Sequence, residues 1–226
     1  MIKPLMKSLM QPLMRSLSGV SVFGERYIST FNPTGTPAMS LNFDSPIVLS
    51  GSQWDCELKM WTPDASAAAV NLLNEENYFK IQMNGAGNII ANIGNGSAWV
   101  VTLAGSIQVN DAATHTARVV ANYGFYELIV DGVVDDSELN SNTVTPRFIR
   151  AGMRSGALND RGHCRILDIK AWADGSRISG TEIANVPIGE RLYDESNIVN
   201  NLAAGGTNAT VTNFTNAAAR LYREGA

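Results

Sequence analysis

Soft metal ligands are scarce in this 226-residue chain. Cys56 and Cys164 stand far apart with no CxxC spacing, and His115 and His163 are the two histidines. That supply excludes the usual zinc constellations. The cysteines leave open either one disulfide or two small buried hydrophobes. Long apolar runs are missing as well: none reaches the ~18 residues that a membrane-spanning helix needs. Lys7 and Arg15 break up the apolar stretch that a secretory leader would require, so none is expected here. The formal net charge is −4 and no long basic run follows the N-terminus. A general nucleic-acid surface, which needs clustered Lys and Arg, is therefore not expected. Neither a GxSxG elbow nor an ExDxxE run occurs.

What is present is enough to build a core. Apolar residues make up 45% and charged residues 17%, which excludes compositional disorder. The length suits one large domain or two small ones, and a single all-β domain of this size is common.

The first residues follow their own rule. In "PLMKSLMQPLMRSLSG" (residues 4–19), Leu5, Leu9, Leu13 and Leu17 recur every four positions beside Met6, Met10 and Met14. On a 3.6-residue period these form an apolar stripe, with Lys3, Lys7, Gln11 and Arg15 roughly opposite. The spacing predicts a short amphipathic helix, kinked at Pro12 and stopped at Gly19. Such a helix is marginal alone in water and needs a surface to cover it. Three readings remain: lying in a membrane interface, packing back on its own domain, or docking into a partner or bundling with its own copies. The last is favoured, because Met adapts to irregular surfaces. The expected organisation is an anchoring and oligomerisation segment over 1–20 and a β-sandwich domain over 21–226.

Beyond that strip the hydrophobic pattern changes to period two. "MSLNFDSPIVLSG" reads as two short strands around a turn. "QWDCELKMWTP" puts Cys56, Leu58 and Met60 on one face and Asp55, Glu57 and Lys59 on the other. Asn84-Gly85, Asn122–Gly124 and Asp131-Gly132 mark hairpin turns. Strands separated by turn chemistry recur every ~8–12 residues, the signature of a sandwich or jelly roll. Near the C-terminus, "GTEIANV" reads as a short helix, followed by Asn-rich loops and one or two closing strands.

Three stretches carry a resemblance to a known family. "QWDCELKMW", "THTARVVANYGFYELIVDG" and "HCRILDIKAW" resemble the early strand, the central His-Thr…Asp-Gly hairpin and the final strand of laminin-G-like, concanavalin A-like domains. His115-Thr116 and Val130-Asp131-Gly132 occupy the matching hairpin positions, while Thr114 stands where the family has Trp. The resemblance covers about residues 40–175 and implies an all-β jelly-roll sandwich of two antiparallel sheets. With residues 4–19 ahead of it, the arrangement is similar to phage and prophage structural proteins. That likeness implies a non-enzymatic virion protein (fibre, decoration or attachment module) joined to other virion proteins. A homotrimer is the favoured state, and a host-surface glycan the outward contact. The alternative is a free or cell-surface carbohydrate-binding lectin; a glycoside hydrolase comes third.

The candidate chemistry is sparse. Hydrolysis would need paired carboxylates across the scissile bond. The nearest acids, Asp131, Asp135, Asp136 and Glu138, read as a solvated loop in and after a turn. Calcium is the metal the resemblance implies, with Asp135, Asp136, Asp160 and Asp168 as oxygen donors, but no site or cofactor is assigned. Asp168 reads as a local hydrogen-bond or salt-bridge partner, His115 as part of the sheet framework, and His163 as a strand-entry residue. Trp99, Tyr123 and Phe125 are the aromatic types a sugar platform would use. Asn95, Asn208 and Asn213 match the glycosylation pattern, which is frequent by chance in Asn-rich loops.

Overall fold

A computed structural model describes residues 28–29, 40–62, 70–142, 144–152, 164–188 and 198–212. The strip from Leu5 to Leu17 and its expected helix lie outside the described residues, as do His163, Asp160 and Asn213.

The strands are β1 (Ile28–Ser29), β2 (Ser40–Val48), β3 (Gln53–Trp61), β4 (Val70–Glu75), β5 (Phe79–Met83), β6 (Asn88–Gly94), β7 (Trp99–Gln108) and β8 (Thr114–Asn122). They continue as β9 (Phe125–Val130), β10 (Val133–Leu139), β11 (Arg147–Gly152), β12 (Arg165–Ala173), β13 (Thr181–Pro187), β14 (Ile198–Val199) and β15 (Ala209–Thr212). One sheet has the order β1-β12-β3-β8-β9-β10, with β13 also on β12; the other runs β14-β15-β2-β11-β4-β5-β6-β7. The expected all-β sandwich of two antiparallel sheets is what forms, and there is no helix among the described residues.

Alternation builds the core. Along β3, Trp54, Cys56, Leu58 and Met60 are all buried, while Gln53, Glu57 and Lys59 retain exposure. Trp54 meets Phe79 of the other sheet edge to face, with ring centroids 5.8 Å apart, and Phe43 meets Phe148 at 5.6 Å. Both cysteines are buried thiols, not bonded to each other. Cys56 sits opposite Val119 and Ala171, whereas Cys164 precedes Arg165, which pairs with Trp61 at the far end of β3. The register therefore holds them apart and leaves two buried thiols.

The turns follow their sequence signals. Asn84 Oδ1 accepts the backbone amides of Ala86 and Asn88. Asp131 and Gly132 both take positive φ (50° and 83°), as a two-residue I′ hairpin requires. Three local expectations are corrected. The Asp44-Ser45-Pro46 turn signal produces a bulge inside the single strand β2, where the register with β11 slips between Phe148 and Arg150. "GTEIANV" is strand β13 and not a helix, because the free edge of β12 offers it a ladder from Asp168 to Ala173. The acidic stretch is strand β10 and not a solvated loop.

Candidate functional site

The β10 acids occupy the seam between the two sheets. Asp136 Oδ2 accepts the Ala104 amide at 2.6 Å, Asp135 Oδ1 accepts the Ser106 amide at 2.8 Å, and Glu138 Oε2 accepts the Thr102 amide at 3.3 Å. Thr102, Ala104 and Ser106 lie on the outer edge of β7, where no further strand among the described residues supplies partners. Carboxylates of one sheet thus satisfy the backbone donors of the other and block its edge. Gly105 makes this approach feasible: a Cβ there would fall 2.1 Å from Asp135 Oδ2. With their oxygens committed to amides, Asp135 and Asp136 do not fit a calcium ion. Among the described residues, no group of three or more His, Cys, Asp and Glu side chains comes together to hold a metal. Asp168 has the local role expected of it, with Oδ2 3.2 Å from Lys170 Nζ.

His115 is part of the framework. It is 7% exposed, with Nδ1 2.7 Å from Asp131 Oδ2 and Nε2 2.7 Å from Asp111 Oδ1. Both ring nitrogens face carboxylates, so the imidazolium is the form that satisfies both. Burial pulls its pKa down, but the hydrogen bonds and charges of Asp131 and Asp111 outweigh burial and raise it. Asp131 Oδ1 also accepts the Thr116 amide at 2.7 Å, which locks the Asp-Gly turn onto β8.

A concave feature lies at the opposite end of β8. Three connections meet there around a cavity of about 310 Å³: the β2–β3 loop with Gly51 and Ser52, the Tyr123-Gly124 turn, and the segment after β10 with Ser141, Asn142 and Val144. Trp54 and Tyr126 form its floor and are nearly buried. Burial, then the nearby Glu138 charge, raises the Tyr126 pKa, so its hydroxyl remains a proton donor.

Tyr123 is the unusual element. It stands at φ 51° and is 71% exposed. A bulky residue in the left-handed region is uncommon, and I′ turns prefer Asn or Asp at that position. The turn is fixed from both sides: the Tyr123 amide donates to Ser52 O at 2.9 Å, and Gly124 O accepts the Asn140 amide at 2.8 Å. Gly124 is required, because a Cβ there would lie 2.7 Å from Asn140 O. Asn142 is set by its amide donating to Asn140 Oδ1 at 3.0 Å. The result is an exposed phenol ring beside a cleft with hydroxyl and amide groups on its rim, an arrangement suited to a ring with one apolar face and polar edges.

Of the three aromatics singled out from sequence, only Tyr123 lines the cleft. Trp99 starts β7 on the other sheet, with Lys80 Nζ 5.3 Å from its ring centroid. Phe125 pairs with Leu139 across β9 and β10. Ser52, Ser141 and Asn142 were not anticipated, since loop residues carry no periodic signal. Asn95 and Asn208 accept backbone amides within loops.

No protein-family model matches the chain, and no curated protein matches it in sequence. Solved structures do resemble it. A Bacteroides ovatus protein thought to bind carbohydrate aligns over 84% of this chain with a TM-score of 0.59 and 10% identity. This chain covers 58% of that protein's length. A heptameric SAP-like pentraxin from Limulus polyphemus aligns over 86% of this chain and 98% of its own, with a TM-score of 0.50 and 10% identity. Domains LG4-5 of the mouse laminin alpha1 chain align over 76% of this chain and 47% of theirs, with a TM-score of 0.45 and 15% identity. At such identities the first two likenesses carry the fold alone: a jelly-roll sandwich of two antiparallel sheets.

Proposed function

We propose that this domain is a carbohydrate-binding module and that the cleft beneath Tyr123 takes one sugar ring. The observation that carries the reading is Tyr123 itself, an exposed aromatic held at positive φ over a cleft edged by Ser52, Ser141 and Asn142. Residues held in sparsely populated backbone regions cluster at functional sites, and an aromatic face next to hydroxyl and amide groups matches the two-sided chemistry of a pyranose. The fold likeness to the Bacteroides ovatus protein, itself thought to bind carbohydrate, supports the same class.

The test is a glycan array followed by calorimetry on the best hit, with the wild type beside Tyr123→Ala and Ser141→Ala. Loss of binding in Tyr123→Ala with an unchanged melting temperature supports the cleft. Glycan binding that survives both substitutions removes it, and an array without hits removes the carbohydrate reading.

The lectin form of this reading needs only the sandwich. The virion form adds that Leu5, Met6, Leu9, Met10, Leu13, Met14 and Leu17 anchor or trimerise the chain on a particle, and it is supported by that sequence pattern alone. A non-enzymatic role is part of the proposal. Its support is that Asp135, Asp136 and Glu138, the acids grouped most closely in sequence, serve the amides of β7.

A further inference from the structure

The sequence holds four Asn-Gly or Asp-Gly pairs: Asn84-Gly85, Asn95-Gly96, Asp131-Gly132 and Asp174-Gly175. In such a pair the glycine amide nitrogen can attack the side-chain carbonyl carbon of the preceding residue, because no Cβ hinders the approach. The fold treats the four pairs differently. Asp131 Oδ2 lies 2.7 Å from His115 Nδ1 and its Oδ1 accepts the Thr116 amide at 2.7 Å. A carboxylate that accepts on both oxygens offers no leaving group. In two other pairs the nucleophile is committed: the Gly175 amide donates to Gln53 O at 2.9 Å and the Gly96 amide to Asn77 O at 2.8 Å.

The two asparagines present similar electrophiles. Asn84 Oδ1 accepts the amides of Ala86 at 2.9 Å and Asn88 at 3.0 Å, and Asn95 Oδ1 accepts those of Ser97 and Ala98, both at 3.0 Å. Two N–H groups on that oxygen share the negative charge that develops there during attack, as an oxyanion hole does. The nucleophiles separate them. Gly85 is exposed, and among the described residues its amide has no hydrogen-bond acceptor. Gly96 is half-buried against Tyr78, where a Cβ would fall 2.8 Å from the phenol oxygen. Its amide must also give up its bond to Asn77 before it can react.

We infer that Asn84 is a self-modification site, converted without an enzyme to aspartate or isoaspartate, while Asn95 is protected by the fold. The Gly85 nitrogen bonds to Asn84 Cγ and its proton passes to water. The Cγ–Nδ2 bond then breaks, the nitrogen takes a proton from water, and ammonia leaves. A second water opens the resulting succinimide at either of its carbonyls. No electrons are gained or lost, and water is the co-reactant. The aspartate product keeps both amide bonds and adds a negative charge. The isoaspartate product inserts a methylene into a turn that is tied on both sides. The Asn84 amide donates to Asn88 O at 2.9 Å, the Val109 amide to Gly87 O at 2.9 Å, and Gln108 Nε2 to Ala86 O at 3.3 Å. The longer backbone loosens this hairpin from the end of β7. Neither asparagine lines the Tyr123 cleft, so the inference does not rest on sugar binding.

The experiment is incubation of the full chain in mildly alkaline water enriched in heavy oxygen, followed by peptide mapping and enzymatic methylation of isoaspartate. In the native state residue 84 should take up label about tenfold faster than residue 95, the penalty for first breaking one ordinary hydrogen bond. In urea the two rates should converge. The Gly87 amide donates to Asn84 O at 3.0 Å, so Gly85 is the second residue of a turn, a position that favours proline. Gly85→Pro removes the attacking N–H, breaks no hydrogen bond, and should abolish labelling at 84 with the melting temperature kept. Native labelling of Asn95 as fast as Asn84 would overturn the inference. So would a difference that persists in urea, labelling of Asn84 in urea alone, or undiminished labelling in Gly85→Pro.

Discussion

Oδ2 of Asp131 lies 2.7 Å from Nδ1 of His115, so the turn between β9 and β10 is pinned to the start of β8. Asp111 holds the other ring nitrogen at the same distance and ties in the β7–β8 loop. The folded pKa of His115 is raised above its ordinary 6.5, so the folded state holds the proton more tightly than the unfolded chain does. Its stabilisation is full below that ordinary value and fades as pH rises through the folded value. Asp111 is lowered below 3.8, chiefly by its hydrogen bond to His115. Its share is present above that ordinary value and fades as pH falls through the folded one. Melting curves of wild type and His115→Ala from about pH 5 to about pH 9 should show the largest gap at the acid end, narrowing toward alkali. A gap that widens with pH contradicts the charged clamp.

Asp55 is fully buried on the outer side of β3, beneath Arg177, and it receives Arg118 in a two-pronged pair, Nε to Oδ1 at 2.8 Å and Nη2 to Oδ2 at 2.5 Å. Arg118→Ala leaves that carboxylate buried without its main partner and should cost about 3–5 kcal/mol. Urea denaturation measures the loss. A cost under about 1 kcal/mol would mean that the pair behaves as a solvated surface bridge.

The carboxylates on β10 predict a different failure. Each of Asp135→Ala and Asp136→Ala should lower stability by about 1–2 kcal/mol, allowing for partial solvent exposure. Substituting Asp135, Asp136 and Glu138 together uncovers a run of free amides on β7, and concentration-dependent light scattering should then reveal edge-to-edge association. A triple variant that stays monodisperse and as stable as wild type would show that the seam contributes nothing.

At Tyr123, stability and binding should move in opposite directions. Asn tolerates the left-handed conformation that Tyr123 occupies, so Tyr123→Asn should raise stability by about 1 kcal/mol. The same substitution removes the aromatic face and should abolish glycan binding at the cleft. Paired melts and titrations decide the matter, and a variant that is both less stable and fully active contradicts the strain account.

Cys56 and Cys164 should resist thiol reagents until the protein unfolds. Burial raises both thiols, that of Cys164 to about 12 and that of Cys56 further assisted by Asp55 and Glu57. Labelling in the native state should be negligible and in urea complete, and a reductant should leave the melting temperature unchanged. Fast native labelling of either residue contradicts their burial.

Much of this architecture is legible along the chain because strand patterning and tight turns are local. The alternation of Trp54, Cys56, Leu58 and Met60 shows which side of β3 faces inward. Asn84-Gly85 and Asp131-Gly132 announce their hairpins, since few residue pairs accept those φ values. Even the exposed Tyr123 could be suspected, as an aromatic inside an Asn-x-Gly turn.

Lateral order is another matter. Nothing in "GTEIANV" states that β12 will have a free edge beside it, and that edge alone makes the segment a strand. Nor do Asp135, Asp136 and Glu138 announce that the amides they satisfy lie about 30 residues earlier on the opposite sheet. The cleft is joined from three connections, so it does not exist within any one segment. Alternation and turn type depend on a residue and its immediate neighbours, and the sequence by itself determines them. Which edge meets which acid, and which loops converge, depends on packing between distant segments, and only the tertiary structure decides it.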